Sequence, residues 1–217
     1  MLKGAYDPLD SPEDCEHIVL LYGNEDNRNH AVARFLNEGL KRNQLCVYGS
    51  IRYQDKDHLK RVSSLINDCE ENQKKENLLF VDMAPIYISS MTGDLGPFQQ
   101  AAKQIEKMAE SRKDRHIRFV GDCAGLLFKN RHFEECLSVE GWGQQKPFFG
   151  SYLCPYEKQA FTMHPHDFRK KSVLGIKHDT VVDADTGKVL EDPFIVDNNT
   201  VNSYTHQGSN MQKGADS

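Results

Sequence analysis

The residues with the clearest chemical potential form a loop near the N-terminus. Residues 17–23 read His-Ile-Val-Leu-Leu-Tyr-Gly, which predicts a buried strand that ends at Gly23. In a nucleotide-binding α/β domain the pattern G-x-x-x-x-G-K-[ST] would begin at this glycine. Here Arg28 replaces the second glycine of the pattern, Asn29 replaces the lysine, and His30 replaces the serine or threonine.

These replacements remove the groups that act on a nucleotide. The lysine of the pattern contacts the β- and γ-phosphates, and the hydroxyl group binds Mg²⁺. Glu25 and Asp26 add negative charge, which would repel a triphosphate. The loop therefore predicts an NTPase scaffold without NTPase chemistry, so we expect no enzyme activity, no catalytic residue and no cofactor.

The same loop is a candidate ligand contact because it leads into a helix N-terminus, where free N–H groups and the helix dipole favour an anion. Parallel sheets also bind ligands beyond the carboxyl ends of their strands. The candidate ligand-binding residues from these positions are Tyr22, Gly23, Arg28, Asn29, His30, Arg52, Asp82 and Asp122. The alternatives are a solvated turn capped by Asn27 or Asn29, an exposed loop position for Arg52, and turn or cap roles for the two acids.

The six cysteines do not form a metal-binding pattern. None has the C-x-x-C spacing of a zinc site, and a cysteine in a strand or on a helix face behaves as a small hydrophobic residue. His164 and His166 flank Pro165, which is typical of a helix start. We therefore expect no metal site. Scattered cysteines without tight pairing are also typical of a reducing compartment, which favours a cytoplasmic location.

Alternating apolar segments predict the scaffold that positions these residues. Further strands are predicted at residues 45–50, 78–83, 116–120, 148–153 and 180–182. Helices are predicted at residues 29–41, 57–72, 98–112, 132–140 and 166–174, with a long loop at 84–97 that could act as a lid. Strands separated by helices predict an α/β fold with a parallel sheet that is covered on both faces.

Composition and charge exclude several classes of protein. The chain has 217 residues and a formal net charge of −5, without a basic stripe, so we expect no nucleic-acid binding. Its apolar runs are shorter than the ~20 residues of a membrane-spanning helix, so we expect no membrane contact. We predict a polar N-terminal arm (1–16), one domain (17–185) and a C-terminal extension (186–217) that is largely disordered from about residue 197.

Several of these segments resemble MEDS domains, the methanogen/methylotroph, DcmR-type sensory domains. The N-terminal part of the resemblance lies in residues 17–22, in Phe-Leu-Asn-Glu-Gly-Leu at 35–40, and in Cys-Val-Tyr at 46–48. The later part lies in Leu-Cys-Pro-Tyr at 153–156, in Glu140 and in His178. The resemblance spans roughly residues 15–185, and the order and spacing of the motifs agree with the family.

The resemblance implies a three-layer RecA/KaiC-like domain with a mainly parallel central sheet. MEDS domains look like relatives of KaiC and RecA-type ATPases, in which acidic residues after the second strand activate the attacking water. In this chain Arg52 and Tyr53 occupy those positions. The resemblance further implies a sensor of small molecules, hydrocarbon derivatives among them, which occurs alone or joined to signalling kinases and regulators.

Three functions remain open from the sequence. The first is a stand-alone, non-catalytic sensory domain that binds a small-molecule ligand and signals to a partner protein, such as a histidine kinase or a transcription regulator. The second is an atypical nucleotide-binding protein or weak ATPase that uses Asp122. The third is a structural or assembly module that forms a homo-oligomer through its arm or its tail.

Overall fold

The computed structural model describes residues 7–110, 112, 114–145, 148–162 and 178–190, which form a seven-stranded sheet with helices on both faces. The strands are β1 (His17–Tyr22), β2 (Leu45–Ser50), β3 (Leu78–Asp82), β4 (Ile117–Gly121), β5 (Gly150–Glu157), β6 (Thr180–Asp183) and β7 (Lys188–Val189). The helices are α1 (Glu25–Lys41), α2 (Lys56–Ser63), α3 (Cys69–Lys74), α4 (Ala84–Ser90), α5 (Gly96–Glu110), α6 (Cys123–Lys129), α7 (Phe133–Gly143) and α8 (Lys158–Thr162).

The strand order across the sheet is β3-β2-β4-β5-β1-β6-β7. The first six strands pair in parallel, and β7 is antiparallel to β6. Parallel strands require crossover connections, which helices provide for most of this sheet. The carboxyl ends of β1, β2, β4 and β5 therefore meet at one edge, where ligands of such sheets bind.

The central strands β1, β2, β4 and β5 are buried along almost their whole length because both faces of the sheet are covered. Helices α1 and α2 cover one face and contribute Phe35, Leu36 and Val62 to its core. Helices α4 to α8 cover the other face, where Phe98 and Leu127 belong to the cores. The predicted three-layer α/β fold with a mainly parallel sheet is confirmed by this arrangement.

Helix α1 begins earlier than predicted. It starts at Glu25, and its N-cap is Asn24 rather than Asn27 or Asn29. The Asn24 side chain accepts hydrogen bonds from the backbone N–H groups of Asp26 and Asn27, at 2.7 and 3.3 Å. An asparagine in extended conformation is a preferred N-cap, which explains the earlier start.

Three other elements differ from the prediction. The first half of the predicted loop at 84–97 is helix α4, which has Pro85 in its first turn, where proline is well tolerated. The predicted helix at 57–72 is two helices, α2 and α3, separated at Asp68, which has a left-handed backbone with φ of 48°. Helix α6 was not predicted because its residues are mostly buried, so it lacks an amphipathic pattern.

The remaining differences are small. Helix α7 extends to Gly143 and strand β5 extends to Glu157, and the short helix α8 and the two-residue strand β7 were not predicted. The predicted helix at 166–174 and the predicted disordered tail lie outside the described residues. No helix within the described part of the chain is long and apolar enough to cross a membrane.

The described part of the N-terminal arm packs on the domain. Leu9 is buried in the core beside α1. The guanidinium of Arg118, which is 1% exposed, donates hydrogen bonds to the carbonyl oxygens of Leu9, Asp10 and Phe35 at 2.9–3.0 Å. A buried cation at the centre of the fold therefore anchors this segment to helix α1.

Candidate functional site

A cavity of about 300 Å³ lies at the edge of the sheet where the central strands end. Four of the eight predicted ligand-binding residues, Tyr22, Arg28, Arg52 and Asp122, line it together. The other lining residues are Glu25, Ile51, Gly125, Leu126, Lys129, Pro155 and Glu157. The cavity therefore lies where the parallel sheet predicts a ligand, between the start of α1 and helix α6.

Arg28 is buried at the back of this cavity, with 3% of its surface exposed. Its guanidinium donates to the side-chain oxygen of Asn29 at 3.0 Å and to the Tyr48 hydroxyl at 3.4 Å. It also lies 3.5 Å from an oxygen of Asp122 and 5.8 Å from the centre of the Tyr22 ring. Burial opposes the charge, but Tyr48 and Asp122 raise the pKa of Arg28, so it remains a cation.

Asp122 joins the ends of β2 and β4. Its carboxylate accepts a hydrogen bond of 2.6 Å from the Ser50 hydroxyl and one of 2.8 Å from the backbone N–H of Ile51. Burial raises the pKa of Asp122, and the Arg28 charge and these hydrogen bonds act in the opposite direction. Asp122 occupies the N-cap position of α6 but makes no side-chain cap hydrogen bond there.

The other cations that line the cavity are also paired with acids. Arg52 lies 3.4 Å from Glu25 and 2.9 Å from Asp55. Lys129 lies 2.6 Å from Glu157. The cavity therefore has alternating charges that neutralise one another, whereas a triphosphate site has an excess of positive charge.

The start of α1 already binds an anion, and that anion belongs to the chain itself. The carboxylate of Asp185, in the turn between β6 and β7, accepts from the backbone N–H groups of Gly23 and Asn24 at 2.7 and 3.3 Å. It also accepts from the Asn27 side chain at 3.1 Å and from the Lys158 ammonium at 2.6 Å. The Asp185 carboxylate thus lies at a helix N-terminus, where backbone N–H groups favour an anion, and is paired with Lys158.

The local electrostatics favour the charged form of Asp185. Burial raises the pKa of this carboxyl group, but the hydrogen bonds from Lys158, Asn27 and Gly23 outweigh burial and lower it. Lys158 also donates to Asp183 at 2.7 Å. Two carboxylates and one ammonium therefore form a stable group beside the loop in which the sequence predicted a ligand.

Four of the predicted residues do not line the cavity, and one of them, Gly23, donates its backbone N–H to Asp185 instead. Asn29 is buried and serves as a partner of Arg28. His30 is exposed, and its Nδ1 is 2.8 Å from the carbonyl oxygen of Asp26. Asp82 accepts from the backbone N–H of Ala84 at 2.9 Å, which is the turn or cap role that we gave as its alternative.

A second polar cluster lies between the sheet and α7. His17, Glu140, Cys154 and His178 are all buried, and one potential ligand atom from each lies within 4.8 Å of the others. The cysteine spacing predicted no metal site. The four residues of this cluster lie far apart in the sequence, so no short motif connects them. The one available signal was that all four residues belong to the segments that resemble the MEDS family.

Comparisons with known proteins agree with the fold and indicate a family. Residues 16–164 match the model of the family described as MEDS: MEthanogen/methylotroph, DcmR Sensory domain. The structure is similar to that of a KaiC-like protein from the hyperthermophilic archaeon Pyrococcus horikoshii OT3, with a TM-score of 0.55 and 13% sequence identity. This similarity covers 78% of the chain and 71% of the archaeal protein. Comparison with the curated proteins finds no match.

Proposed function

The chain belongs to the MEDS family of sensory domains, and from this premise we propose that it is a non-catalytic sensor that binds a small organic molecule in the cavity at the strand carboxyl ends. The family supplies the sensory role. The ligand, its place in the cavity and the transfer of a signal to another protein are the proposed parts.

The observation that carries the non-catalytic part is the position of Asp185. Its carboxylate binds the backbone N–H groups of Gly23 and Asn24, which are the donors that would otherwise cradle a phosphate. A nucleotide would have to displace a paired carboxylate, and the loop has neither the lysine nor the hydroxyl that would compensate for this loss.

The cavity lining indicates the chemical class of the ligand. Ile51, Leu126 and Pro155 offer apolar surface, and the ring of Tyr22 extends it. The Arg28–Asp122 pair provides one polar position at the back of the cavity. A volume of about 300 Å³ lies at the small end of the range for ligand sites. These features suit a short hydrocarbon chain with a single polar group, such as an alcohol, an amine or a carboxylic acid.

The same residues offer a route for a signal. Arg28 lies on α1, and Asp122 holds the end of β4 to the end of β2. A ligand that inserts its polar group between Arg28 and Asp122 would separate α1 from this edge of the sheet. The proposed receiver of this change is a signalling partner, such as a histidine kinase or a transcription regulator.

The test combines a ligand panel with a variant that fills the cavity. The panel contains the four- and six-carbon alcohols, amines and carboxylates, together with Mg-ATP and Mg-ADP, and binding is measured by thermal shift and calorimetric titration. Leu126→Trp places a large ring in the cavity, and Ile88→Trp is the matched control because Ile88 is 64% exposed on α4. We expect one organic class to stabilise the wild type and the control but not Leu126→Trp.

Two results would overturn the proposal. Micromolar binding of Mg-ATP, with turnover, would establish the nucleotide-binding alternative. The absence of binding by every organic member at millimolar concentration would remove the sensory cavity from consideration.

A further inference from the structure

The buried cluster of His17, Glu140, Cys154 and His178 has the composition of a metal centre. His17 is the first residue of β1, Cys154 lies within β5, Glu140 lies on α7, and His178 precedes β6 by two residues. Each is at most 9% exposed. Two imidazoles, one carboxylate and one thiol form a mixed N, O and S donor set of the kind that binds Zn²⁺.

The sheet register explains why these residues meet. In the parallel pairing of β1 with β5, Val19 lies opposite Cys154 and His17 lies opposite Tyr152. His17 and Val19 are two residues apart, so their side chains lie on the same face of the sheet as Cys154. His178 is held beside β1 because the backbone N–H of Asp179 donates to the carbonyl oxygen of His17 at 2.8 Å.

Four of the six distances between the donor atoms lie close to those around a tetrahedral ion, and all six are within 4.8 Å. The Nε2 atoms of His17 and His178 lie 3.1 and 3.2 Å from Oε2 of Glu140. Sγ of Cys154 lies 3.2 Å from Nε2 of His17 and 3.9 Å from Oε2 of Glu140. Zn–N distances of about 2.0–2.1 Å and a Zn–S distance of about 2.3 Å place tetrahedral ligand atoms about 3.3–3.6 Å apart.

Hydrogen bonding alone accounts poorly for this convergence. Both imidazole Nε2 atoms and the thiol approach the same oxygen of Glu140, so three donors would crowd one acceptor. The two imidazole rings also lie close together, with centroids 4.1 Å apart. A cation among the four atoms would instead receive a lone pair from each.

The charge of the cluster is complementary to a divalent ion. Metal ligands are deprotonated, so a bound ion would be held by two neutral imidazoles, the Glu140 carboxylate and a Cys154 thiolate, whose proton the metal would release. One thiolate and one carboxylate would then neutralise a dication, which offsets part of the electrostatic cost of burying it.

A supporting contact orients the carboxylate. The Tyr156 hydroxyl donates to Oε1 of Glu140, which leaves Oε2 directed at the other three donor atoms. Metal-binding carboxylates characteristically have such an outer hydrogen bond.

We propose that His17, Glu140, Cys154 and His178 form a zinc site that joins α7 to β1, β5 and the segment before β6. With four protein ligands the site is closed, and closed sites stabilise a fold rather than activate a water molecule. The site is separate from the cavity at the strand ends, so the proposal stands or falls independently of the proposed ligand.

The test uses the full chain and two probes. Protein purified from zinc-supplemented medium is analysed for metal content, and the chelated protein is then titrated with Co²⁺, whose absorbance reports a thiolate ligand through a charge-transfer band. We expect one ion per chain, a thiolate–cobalt band with tetrahedral visible absorption, and a lower melting temperature after chelation.

Matched cysteine variants assign the ligand. Cys154→Ser should lose the charge-transfer band and bind Co²⁺ more than about 100-fold more weakly, since ligand loss exceeds the effect of losing an outer contact. Cys46→Ser is the control, because Cys46 is also a buried strand cysteine but does not belong to the cluster. It should keep both the band and the affinity.

Three outcomes would overturn the site. They are wild-type protein without bound metal and without a cobalt band, a melting temperature that chelation leaves unchanged, and a thiolate band that survives in Cys154→Ser. The first two are measured on the wild type, so the test does not depend on whether the variant folds.

Discussion

Replacing Asp185 with alanine should destabilise the fold and at the same time create an anion site at the start of α1. The Asp185 carboxylate receives hydrogen bonds from Gly23, Asn24, Asn27 and Lys158. The Asp185 side chain is only 10% exposed. When it is removed, water cannot fully replace the carboxylate as the acceptor for these four donors. The variant would leave two backbone N–H groups and an ammonium facing a small vacant space.

The size of the effect follows from these contacts. A hydrogen bond to a charged group contributes about 1.5–3 kcal/mol, but the contributions of neighbouring bonds are not additive. Lys158 also keeps Asp183 as a partner at 2.7 Å. We therefore expect Asp185→Ala to lower the free energy of unfolding by about 2–4 kcal/mol, and Asp185→Asn, which keeps one acceptor oxygen, to lower it by about 1–2 kcal/mol.

The assay is urea denaturation at pH 7, followed by thermal shift with increasing inorganic phosphate at constant ionic strength. Phosphate at ten times its dissociation constant should stabilise Asp185→Ala by about 1.4 kcal/mol and leave the wild type unchanged. Asp94→Ala is the matched control, since Asp94 caps the start of α5 through a 2.8 Å hydrogen bond from Gly96. That variant should lose about 1 kcal/mol, as expected for a lost cap, and gain no phosphate response.

The pH dependence gives a second readout of the same contact. Because the pKa of Asp185 is lower in the folded than in the unfolded protein, its contribution is present above the unfolded value of about 3.9 and is lost as the pH falls below it. The stability difference between the wild type and Asp185→Asn should therefore shrink below about pH 4. An equal phosphate response in wild type and variant, or a loss below about 0.5 kcal/mol in Asp185→Ala, would refute the reasoning.

Three further changes test other parts of the structure by denaturant unfolding. Arg118→Met should cost about 3 kcal/mol or more because buried carbonyl oxygens lose their donor, and a cost below about 1 kcal/mol would contradict this role. Gly125→Ala should cost about 2–4 kcal/mol because its Cβ would lie 2.1 Å from the carbonyl oxygen of Pro155, and a neutral effect would mean that α6 moves freely. Burial, together with the Arg28 charge, lowers the pKa of His58 to about 4. As the pH falls, the unfolded chain therefore protonates His58 before the folded chain does, and the free energy of unfolding decreases between about pH 6.5 and pH 4. His58→Gln should lessen this fall, and an unchanged pH profile would exclude His58 as its source.

Much of the fold could be predicted from local hydrophobic patterns in the sequence. Continuous apolar strands, such as those that end at Tyr22 and Ser50, indicate a sheet that is covered on both faces. Helices α1 and α5 have an apolar face with helical spacing, which predicted them to within a few residues at their C-terminal ends. Helix α6 was not predicted because most of its residues are buried. Its sequence therefore lacks the hydrophobic periodicity that marks a surface helix.

The candidate cavity was predictable in part. Four lining residues, Tyr22, Arg28, Arg52 and Asp122, were predicted because each lies at the end of a strand or shortly after it, on the carboxyl side of the sheet. His30 could not be excluded from this set by sequence, since the direction of its side chain depends on the residue at which α1 begins. The start at Glu25 turns His30 toward solvent and brings Arg28 to the back of the cavity.

The sequence by itself determined that the first loop lacks the lysine and the hydroxyl group of a nucleotide-binding pattern, because these are properties of single positions in one short loop. Only the tertiary structure showed that a carboxylate of the chain itself binds the start of α1, since Asp185 is 162 residues from Gly23 along the chain. The sequence also does not show that His17 and Cys154 lie beside Glu140 and His178 in the folded chain. Local patterns record the spacing within an element, whereas strand order and register decide which distant side chains share a face.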